Sequence, residues 1–244
     1  MEIGVQDKYI AIIGVSSCIG RRLAKELIRN GARVIGTYYQ NEVMDTEELG
    51  EAFLQTKCDI TSLDDIEKLI QFIDNHKVVI DGVVNCVGII SDDRIDEMKD
   101  TDWKKVIDVN LTGSFSLIQA FSNLMKVRSK GKIICLSSVL GISGRENQGN
   151  YAASKAGLNL IAKTAAMEMG KYGVSVNIVC PGYINTNLNR SNEYKKIAAQ
   201  SESYLPIDGN LGALVNFIVY MLSDLFFSVT GQTFIIDSRV QRTM

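Results

Sequence analysis

Residues 9–28 read YIAIIGVSSCIGRRLAKELI. The first part, Tyr9–Val15, is almost entirely apolar and rich in β-branched side chains, which is typical of a strand buried on both faces of a parallel sheet. Gly14 and Gly20 enclose a short polar turn, after which the apolar residues take helical spacing. Glycine permits a tight turn, and a helix N-terminus presents N–H groups to a phosphate. The stretch therefore predicts a strand–turn–helix unit that binds a nucleotide, although two glycines also serve as plain turn residues.

The same alternation of apolar runs and helical patterns continues to the other end of the chain. We expect helices near residues 18–30, 62–75, 101–128, 150–171 and 211–223. The predicted strands span Tyr9–Val15, Arg33–Tyr38, Phe53–Cys58, Gly82–Cys86, Lys132–Ser137, Ser175–Val179 and Thr233–Ile236. This pattern predicts an α/β fold, with residues 1–244 as a single-domain, doubly wound (Rossmann-type) parallel sheet of about seven strands and helices on both faces. Thr61 and Thr101 are the expected N-caps of the second and third helices, and Asn30-Gly31 the expected end of the first.

The least regular part of the sequence is residues 185–212, which is polar and contains Pro206. In an open α/β sheet, ligands bind beyond the carboxyl ends of the strands, where this segment begins. We expect it to form a substrate lid; the alternative is a surface loop without a role in binding.

Composition limits the classes of function. The net charge of −2 gives no field that attracts nucleic acid or an acidic membrane. No apolar run reaches the length of a membrane span and no signal peptide is visible, which predicts a cytoplasmic protein. The five cysteines form no Cys-x-x-Cys pair, so we expect reduced thiols and no metal site.

Tyr151 and Lys155 lie four residues apart in the run NYAASKAG, with Ser137-Ser138 upstream. On a helix, this spacing places both side chains on one face. An ammonium beside a phenol favours the phenolate, so we expect the lysine to lower the tyrosine pKa. Such a phenol exchanges a proton with a carbonyl oxygen or an alcohol. Taken alone, the pair is more typical of an ordinary amphipathic helix face than of a catalytic site.

Together, these motifs resemble those of the short-chain dehydrogenase/reductase family. Its usual glycine fingerprint is Thr-Gly-x-x-x-Gly-x-Gly, which here keeps Gly14 and Gly20 but has Ile13 and Cys18 at the other positions. A side chain at position 18 occupies a crowded place, so we expect a shifted turn or a strained backbone at Cys18, and weaker cofactor binding.

Further motifs follow in the order of the family, so that the resemblance covers residues 8–238. Cys58-Asp59-Ile60, Asn85-Cys86-Val87-Gly88, Asp108-Val109-Asn110, Ser138 and Pro181-Gly182-Tyr183-Ile184-Asn185-Thr186 match in turn. The resemblance implies that catalysis is carried by Asn110, Ser138, Tyr151 and Lys155. The implied cofactor-binding residues are Gly14, Ser16, Ser17, Ile19, Gly20, Tyr38, Asp59, Ile60, Asn85, Gly88, Tyr151, Lys155, Pro181, Gly182, Ile184 and Thr186. No metal is implied.

The end of the second predicted strand bears on the choice of cofactor. It reads Gly36-Thr-Tyr-Tyr-Gln-Asn41, without the acid that usually takes the ribose 2′-OH of NAD. The sequence therefore favours NADP(H), while NAD(H) stays possible. Ser17 stands where many NADP-binding relatives have arginine, and Arg21 and Arg22 are alternative cations.

Within the family, the chain most resembles 3-oxoacyl-[acyl-carrier-protein] reductases. This resemblance implies that the protein uses NADPH to reduce a ketone, such as a 3-oxoacyl thioester, to a secondary alcohol. It also implies that Tyr151 is the general acid. Arg128 and Lys171 lie near where such enzymes bind the carrier protein; both also suit solvated helix ends. Relatives assemble through helices like 150–171, which implies a homotetramer, with a dimer as the alternative. An NAD-dependent alcohol dehydrogenase and a non-catalytic nucleotide sensor remain alternatives.

Overall fold

The computed structural model describes residues 4–40, 49–186, 193–207 and 210–239. These residues contain a sheet of seven parallel strands in the order β3-β2-β1-β4-β5-β6-β7. The strands are β1 (Tyr9–Ile13), β2 (Arg33–Tyr38), β3 (Phe53–Lys57), β4 (Ile80–Asn85), β5 (Gly131–Leu136), β6 (Val174–Pro181) and β7 (Thr233–Ile236). The predicted parallel sheet of seven strands is confirmed, with shifts of one or two residues at several strand ends.

Helices cover both faces of this sheet, as predicted. They are α1 (Cys18–Arg29), α2 (Leu63–Asn75), α3 (Asp100–Ile107), α4 (Ser114–Lys126), α5 (Leu140–Ser143), α6 (Gly149–Met169), α7 (Glu193–Glu202) and α8 (Asn210–Leu222). Short 3₁₀ turns cover Gly50–Ala52 and Gly170–Tyr172. No helix in the described ranges is both long and apolar enough to cross a membrane.

The alternation of side chains in β1 explains why its sequence is apolar throughout. Ile10 and Ile12 pack into a core with α1 and α8, whereas Ala11 and Ile13 pack into a second core with α2, α4 and α6. Successive residues of a strand point to opposite faces, so a strand between two helical layers needs apolar residues at every position.

The strand order reverses at β1, which lies between β2 and β4. Backbone hydrogen bonds extend the register past the strand ends: Val15 N–H donates to Thr37 O at 2.8 Å, and Cys86 N–H donates to Ile13 O at 2.9 Å. The loops after β1 and β4 therefore start side by side, where open sheets of this kind bind their ligands.

Three predictions of local structure were wrong in detail. The helix expected over 101–128 is interrupted by a π-helical turn at Asp108–Gly113. Ser62 rather than Thr61 caps α2, and Thr101 lies inside α3. The region expected to be irregular contains the helix α7; residues 187–192 and 208–209 of that predicted lid lie outside the described residues.

Candidate active site

The turn after β1 leaves no room for side chains at its glycines. Gly14 has a φ of +82°, and a Cβ at Gly20 would lie 2.5 Å from the Gly14 carbonyl oxygen. Ser17 caps α1, because its Oγ accepts a hydrogen bond from Gly20 N–H at 3.0 Å. The amides of Cys18 and Ile19, in the first turn of α1, have no hydrogen-bond partner among the described residues. The turn thus presents backbone donors at the positive end of a helix dipole.

Cys18 takes its place in this turn without strain, contrary to expectation. It is the first residue of α1, directly after the Ser17 cap, and it does not belong to the described residues with positive φ. A helical backbone accepts any L-residue other than proline at little cost. The expectation of a strained backbone was wrong because α1 begins at Cys18, so this residue has a helical backbone rather than the left-handed one that favours glycine.

Asn110 lies in the π-helical turn and is fully buried. Its Oδ1 accepts from Ile89 N–H at 2.8 Å, and its Nδ2 donates to Ile89 O at 2.9 Å and to Ser154 Oγ at 3.1 Å. The oxygen and the nitrogen of this amide therefore both have hydrogen-bond partners, which lie in the segment after β4 and on helix α6. The side chain joins the segment after β4 to helix α6, and the widened turn is what brings it to that position.

Ser138, Tyr151 and Lys155 come together at the carboxyl end of β5. Ser138 follows that strand, and its Oγ accepts from Leu140 N–H at 3.1 Å. The Ser138 hydroxyl lies beside the Tyr151 phenol, near enough to act on its pKa. Lys155 lies one turn further along α6; its Nζ is 5.7 Å from the centroid of the Tyr151 ring and donates to Leu136 O at 2.9 Å.

Burial decides the charge states of this group. It raises the pKa of Tyr151 above its usual value, and the neighbouring Ser138 hydroxyl opposes that shift only in part. The expected lowering of the tyrosine pKa by the lysine was wrong, because Lys155 directs its hydrogen bond to a backbone carbonyl rather than to the phenol. Burial also lowers the pKa of Lys155 to about 8, against the opposing effect of the Cys135, Cys180 and Cys86 thiols.

The neighbouring thiols are themselves held in their neutral form. Burial raises the pKa of Cys86 and of Cys135 to about 12. A thiolate is the reactive form of cysteine, so these residues behave as small apolar side chains around Lys155.

Ser138, Tyr151 and Lys155 line one open cleft, whose volume is about 900 Å³ including the solvent at its mouth. Of the residues predicted from the sequence, the cleft contains Ser138, Tyr151, Lys155, Ile19, Gly88, Pro181, Gly182, Ile184 and Thr186. A constellation of hydroxyl, phenol and ammonium groups in such a cleft can transfer a proton to a carbonyl oxygen.

Comparison with known proteins identifies the family. Residues 14–238 match the family model described as Enoyl-(Acyl carrier protein) reductase. The chain is 32% identical to the 3-oxoacyl-[acyl-carrier-protein] reductase of Vibrio harveyi, over 95% of this chain and 96% of that protein. It is 33% identical to the protein of the same name from Escherichia coli, over 93% and 95%.

The chain belongs to the short-chain dehydrogenase/reductase family. It is thus an NAD(P)-dependent oxidoreductase. Among solved structures, a short chain dehydrogenase from Leptospira borgpetersenii with bound NAD+ is similar, with a TM-score of 0.87 and 30% identity over 97% of this chain and 93% of that one. A putative gluconate dehydrogenase from Agrobacterium tumefaciens shares the fold, with a TM-score of 0.91 and 24% identity over 98% and 97%.

The remaining residues predicted to bind cofactor in this short-chain dehydrogenase/reductase lie outside the lining of the cleft. Asp59 and Ile60 follow β3: Asp59 Oδ1 accepts from Thr61 N–H at 2.9 Å, and Ile60 is buried against Gly113. Asn85 ends β4, where its Oδ1 accepts from Val87 N–H at 3.0 Å and its Nδ2 donates to Ser114 Oγ at 2.8 Å. Gly14, Ser16, Ser17, Gly20 and Tyr38 form the turn after β1 and the end of β2.

The site fits a dinucleotide in two ways. The turn after β1 offers backbone donors and no side-chain bulk, which suits a pyrophosphate. At the other end, a Cβ at Gly88 would lie 3.3 Å from Lys155 Nζ and 3.7 Å from Asn110 Oδ1, so the open backbone there leaves space beside the buried lysine. Gly14, Ser17, Gly20, Gly88 and Lys155 would hold the cofactor, which supplies the hydride chemistry.

Sequence reasoning missed two arginines of the cleft, Arg145 and Arg239. Arg145 lies in the loop before α6, and Arg239 follows β7. No local rule places the segment Asp237-Ser238-Arg239 in the cleft, so the sequence alone gives no signal for Arg239.

Proposed function

We propose that this protein reduces a ketone, a 3-oxoacyl thioester or a related carbonyl compound, to a secondary alcohol with NADPH, and that Tyr151 is the general acid. The observation that carries the proposal is the convergence of Ser138, Tyr151 and Lys155 in one cleft, with Lys155 one helical turn from Tyr151 and its Nζ 5.7 Å from the centroid of the tyrosine ring.

Each residue has a distinct role in the proposed reaction. When bound, the cofactor would supply the hydride for the carbonyl carbon. Ser138 Oγ and Tyr151 Oη hold the carbonyl oxygen by hydrogen bonds, and Tyr151 gives its proton to that oxygen as the alcohol forms. The ammonium of Lys155 stabilises the resulting phenolate and binds the cofactor ribose. Asn110 holds the segment of Ile89 in place beside the lysine.

The protonation state of Tyr151 favours the reductive direction. Its pKa is raised by burial, so the phenol is neutral near pH 7 and ready to donate a proton. Oxidation of an alcohol needs the phenolate as a base, which the same burial disfavours.

The preference for NADPH rests on the end of β2. Tyr38, Tyr39 and Gln40 stand there, and the residues described after β2 carry no acid before position 41. Arg21 lies in the first turn of α1, where its Nε donates to Ser16 O at 3.1 Å. We propose that Arg21 supplies the positive charge for the 2′-phosphate that the family's usual arginine would supply at position 17.

The proposed substrate class follows the similarity to 3-oxoacyl-[acyl-carrier-protein] reductases. Arg128 donates to Ile80 O at 3.2 Å and Lys171 lies 5.1 Å from the Tyr172 ring centroid, so both basic residues considered for a carrier protein also make contacts within this chain. We also propose that the chain is one domain and that residues 185–212 act as a lid.

The exposed apolar side chains of Phe115, Leu160 and Met167 suit the proposed homotetramer.

A titration of the protein with NADPH and with NADH, followed by nicotinamide fluorescence, tests the cofactor preference. We expect tighter binding of NADPH, and Arg21→Gln should weaken NADPH binding about ten-fold while leaving NADH binding unchanged. Arg22→Gln is the matched control. Equal affinities for the two cofactors would contradict the NADPH assignment, and equal effects of both variants would contradict the role of Arg21.

Addition of an acetoacetyl thioester to the NADPH complex tests the reaction. Oxidation of the cofactor with formation of the 3-hydroxyacyl thioester is expected. Cofactor binding without turnover across a panel of ketones would favour a nucleotide sensor, and turnover only of alcohols with NAD+ would favour an alcohol dehydrogenase.

A further inference from the structure

The segment after β7, Asp237-Ser238-Arg239, brings an arginine into the wall of the cleft that contains Ser138 and Tyr151. The side chain of Arg239 is only 15% exposed. Long cationic side chains are seldom buried to this extent unless they are paired, so the contacts of this arginine define its role.

Two carboxylates fix the guanidinium. The side chain of Asp237, 1% exposed, accepts from Arg239 Nη2 at 2.9 Å and from Nε at 3.1 Å. Glu202, at the end of α7, accepts from Nη1 at 3.2 Å. A bidentate pair with a buried carboxylate holds the guanidinium plane in one orientation.

The same segment holds the end of α7 in place. Ser238 O accepts from Tyr204 N–H at 3.0 Å, and Ser238 Oγ donates to Ser203 Oγ at 3.0 Å. Asn210 Nδ2 donates to Tyr183 O at 3.0 Å and contacts Ser238 Oγ at 3.3 Å. Arg239 is therefore part of a rigid wall rather than a free surface side chain.

Charge and hydrogen-bond capacity indicate what this wall can bind. Asp237 and Glu202 together outweigh the positive charge of Arg239, so the site does not favour an anion. Their hydrogen bonds use Nε–H, one N–H of Nη2 and one of Nη1, whereas a guanidinium has five N–H donors. The other two have no acceptor among the described residues. They suit an uncharged oxygen.

We propose that Arg239 is a specificity-determining residue that donates a hydrogen bond to a second, uncharged carbonyl oxygen of the substrate. The thioester oxygen of a 3-oxoacyl thioester is such an acceptor. This inference rests on the proposed function, since it places the reacting carbonyl at Ser138 and Tyr151 and the second carbonyl at Arg239. It defines the substrate class as compounds with two carbonyl groups.

Two compounds of equal length test the inference. One is the acetoacetyl thioester of N-acetylcysteamine, and the other is the matching thioether ketone, in which a methylene replaces the thioester carbonyl. The measured quantity is the kcat/KM of the thioester divided by the kcat/KM of the thioether ketone.

The double variant Asp237→Asn, Arg239→Met removes the arginine without leaving a buried carboxylate unpaired. We expect it to lower the ratio about ten-fold or more, the effect of one hydrogen bond from a charged donor. The double variant Asp237→Asn, Arg239→Lys keeps a cationic donor at position 239, so it should restore part of the lost ratio.

Arg29→Met, which removes an exposed arginine at the end of α1 that does not line the cleft, is the control; the ratio should stay within two-fold of the parent value. Melting temperature and NADPH affinity report whether each variant is folded. An equal loss for both compounds, or an unchanged ratio in the double variant, would overturn the inference.

Failure of the proposed function is visible separately. If the parent protein binds both compounds without turnover, the ratio of their dissociation constants, measured by calorimetry, takes the place of the kinetic ratio. In that case the reductase assignment falls while Arg239 is still tested. If neither compound binds to the parent protein, the assignment of Arg239 falls as well.

Discussion

The ammonium of Lys155 lies 5.7 Å from the centroid of the Tyr151 ring and donates its hydrogen bond to Leu136 O, not to the phenol. The two side chains share a helix face, as their spacing requires, but the lysine reaches back to the end of β5. Burial then dominates the pKa of both groups, raising that of Tyr151 and lowering that of Lys155 to about 8.

Replacement of Tyr151 by phenylalanine removes the proposed proton donor and little else. We expect kcat to fall by at least about 100-fold, since general acid catalysis contributes about 10²–10⁴-fold. NADPH affinity, measured by fluorescence titration, should change little. Thr164→Val, an exposed hydroxyl on the same helix, is the control. Turnover near the parent rate in Tyr151→Phe would exclude Tyr151 as the acid.

Lys155 should make stability depend on pH. Its pKa is about 8 in the folded protein and about 10.4 when unfolded, so between these values the unfolded chain binds more protons than the folded one. Burial of the charged lysine therefore destabilises the fold below pH 8, and this cost disappears as the pH rises to about 10.5. Relative to Lys155→Met, the parent protein should gain about 3 kcal/mol across that window, at about 1.4 kcal/mol per unit.

Urea unfolding of both proteins without cofactor, from pH 7 to pH 10.5, measures this difference. Effects of other titrating groups are common to the two proteins and largely cancel. A difference in the free energy of unfolding that is constant with pH would show that Lys155 keeps an ordinary pKa.

Lys132 stabilises the C-terminal end of α8. Its Nζ donates to Met221 O at 3.0 Å, Ser223 O at 2.5 Å and Phe226 O at 2.6 Å. Lys132→Met leaves these carbonyls without their donor, which should lower the free energy of unfolding by about 3 kcal/mol. Lys130→Met, at an exposed position two residues earlier, should have an effect near zero. Thermal unfolding compares the two; similar melting temperatures would contradict the capping role.

Cys18→Gly tests the turn after β1. Because Cys18 has an ordinary helical backbone, glycine relieves no strain there, and NADPH affinity should stay within about two-fold of the parent value. Stability should fall by up to about 1 kcal/mol from the lower helix propensity of glycine. Markedly tighter NADPH binding in the variant would show that the cysteine side chain obstructs the phosphate site.

Three features were predictable from the sequence: a sheet covered by helices on both faces, the glycine turn after β1, and the shared helix face of Tyr151 and Lys155. Each depends on short-range periodicity: an apolar residue at every position of β1 requires two cores, and four residues make about one turn of a helix. The site residues drawn from the family resemblance were likewise named from short motifs.

Only the tertiary structure decided the rest. Asn110 occupies a π-helical turn because its amide bonds with Ile89, on a distant loop. The pKa of Tyr151 rises rather than falls because burial, the sum of contacts from several elements, outweighs one neighbour in sequence. Arg239 enters the cleft because Asp237 and Glu202 hold it there. Contacts of this kind join residues far apart in the chain, so no local pattern encodes them.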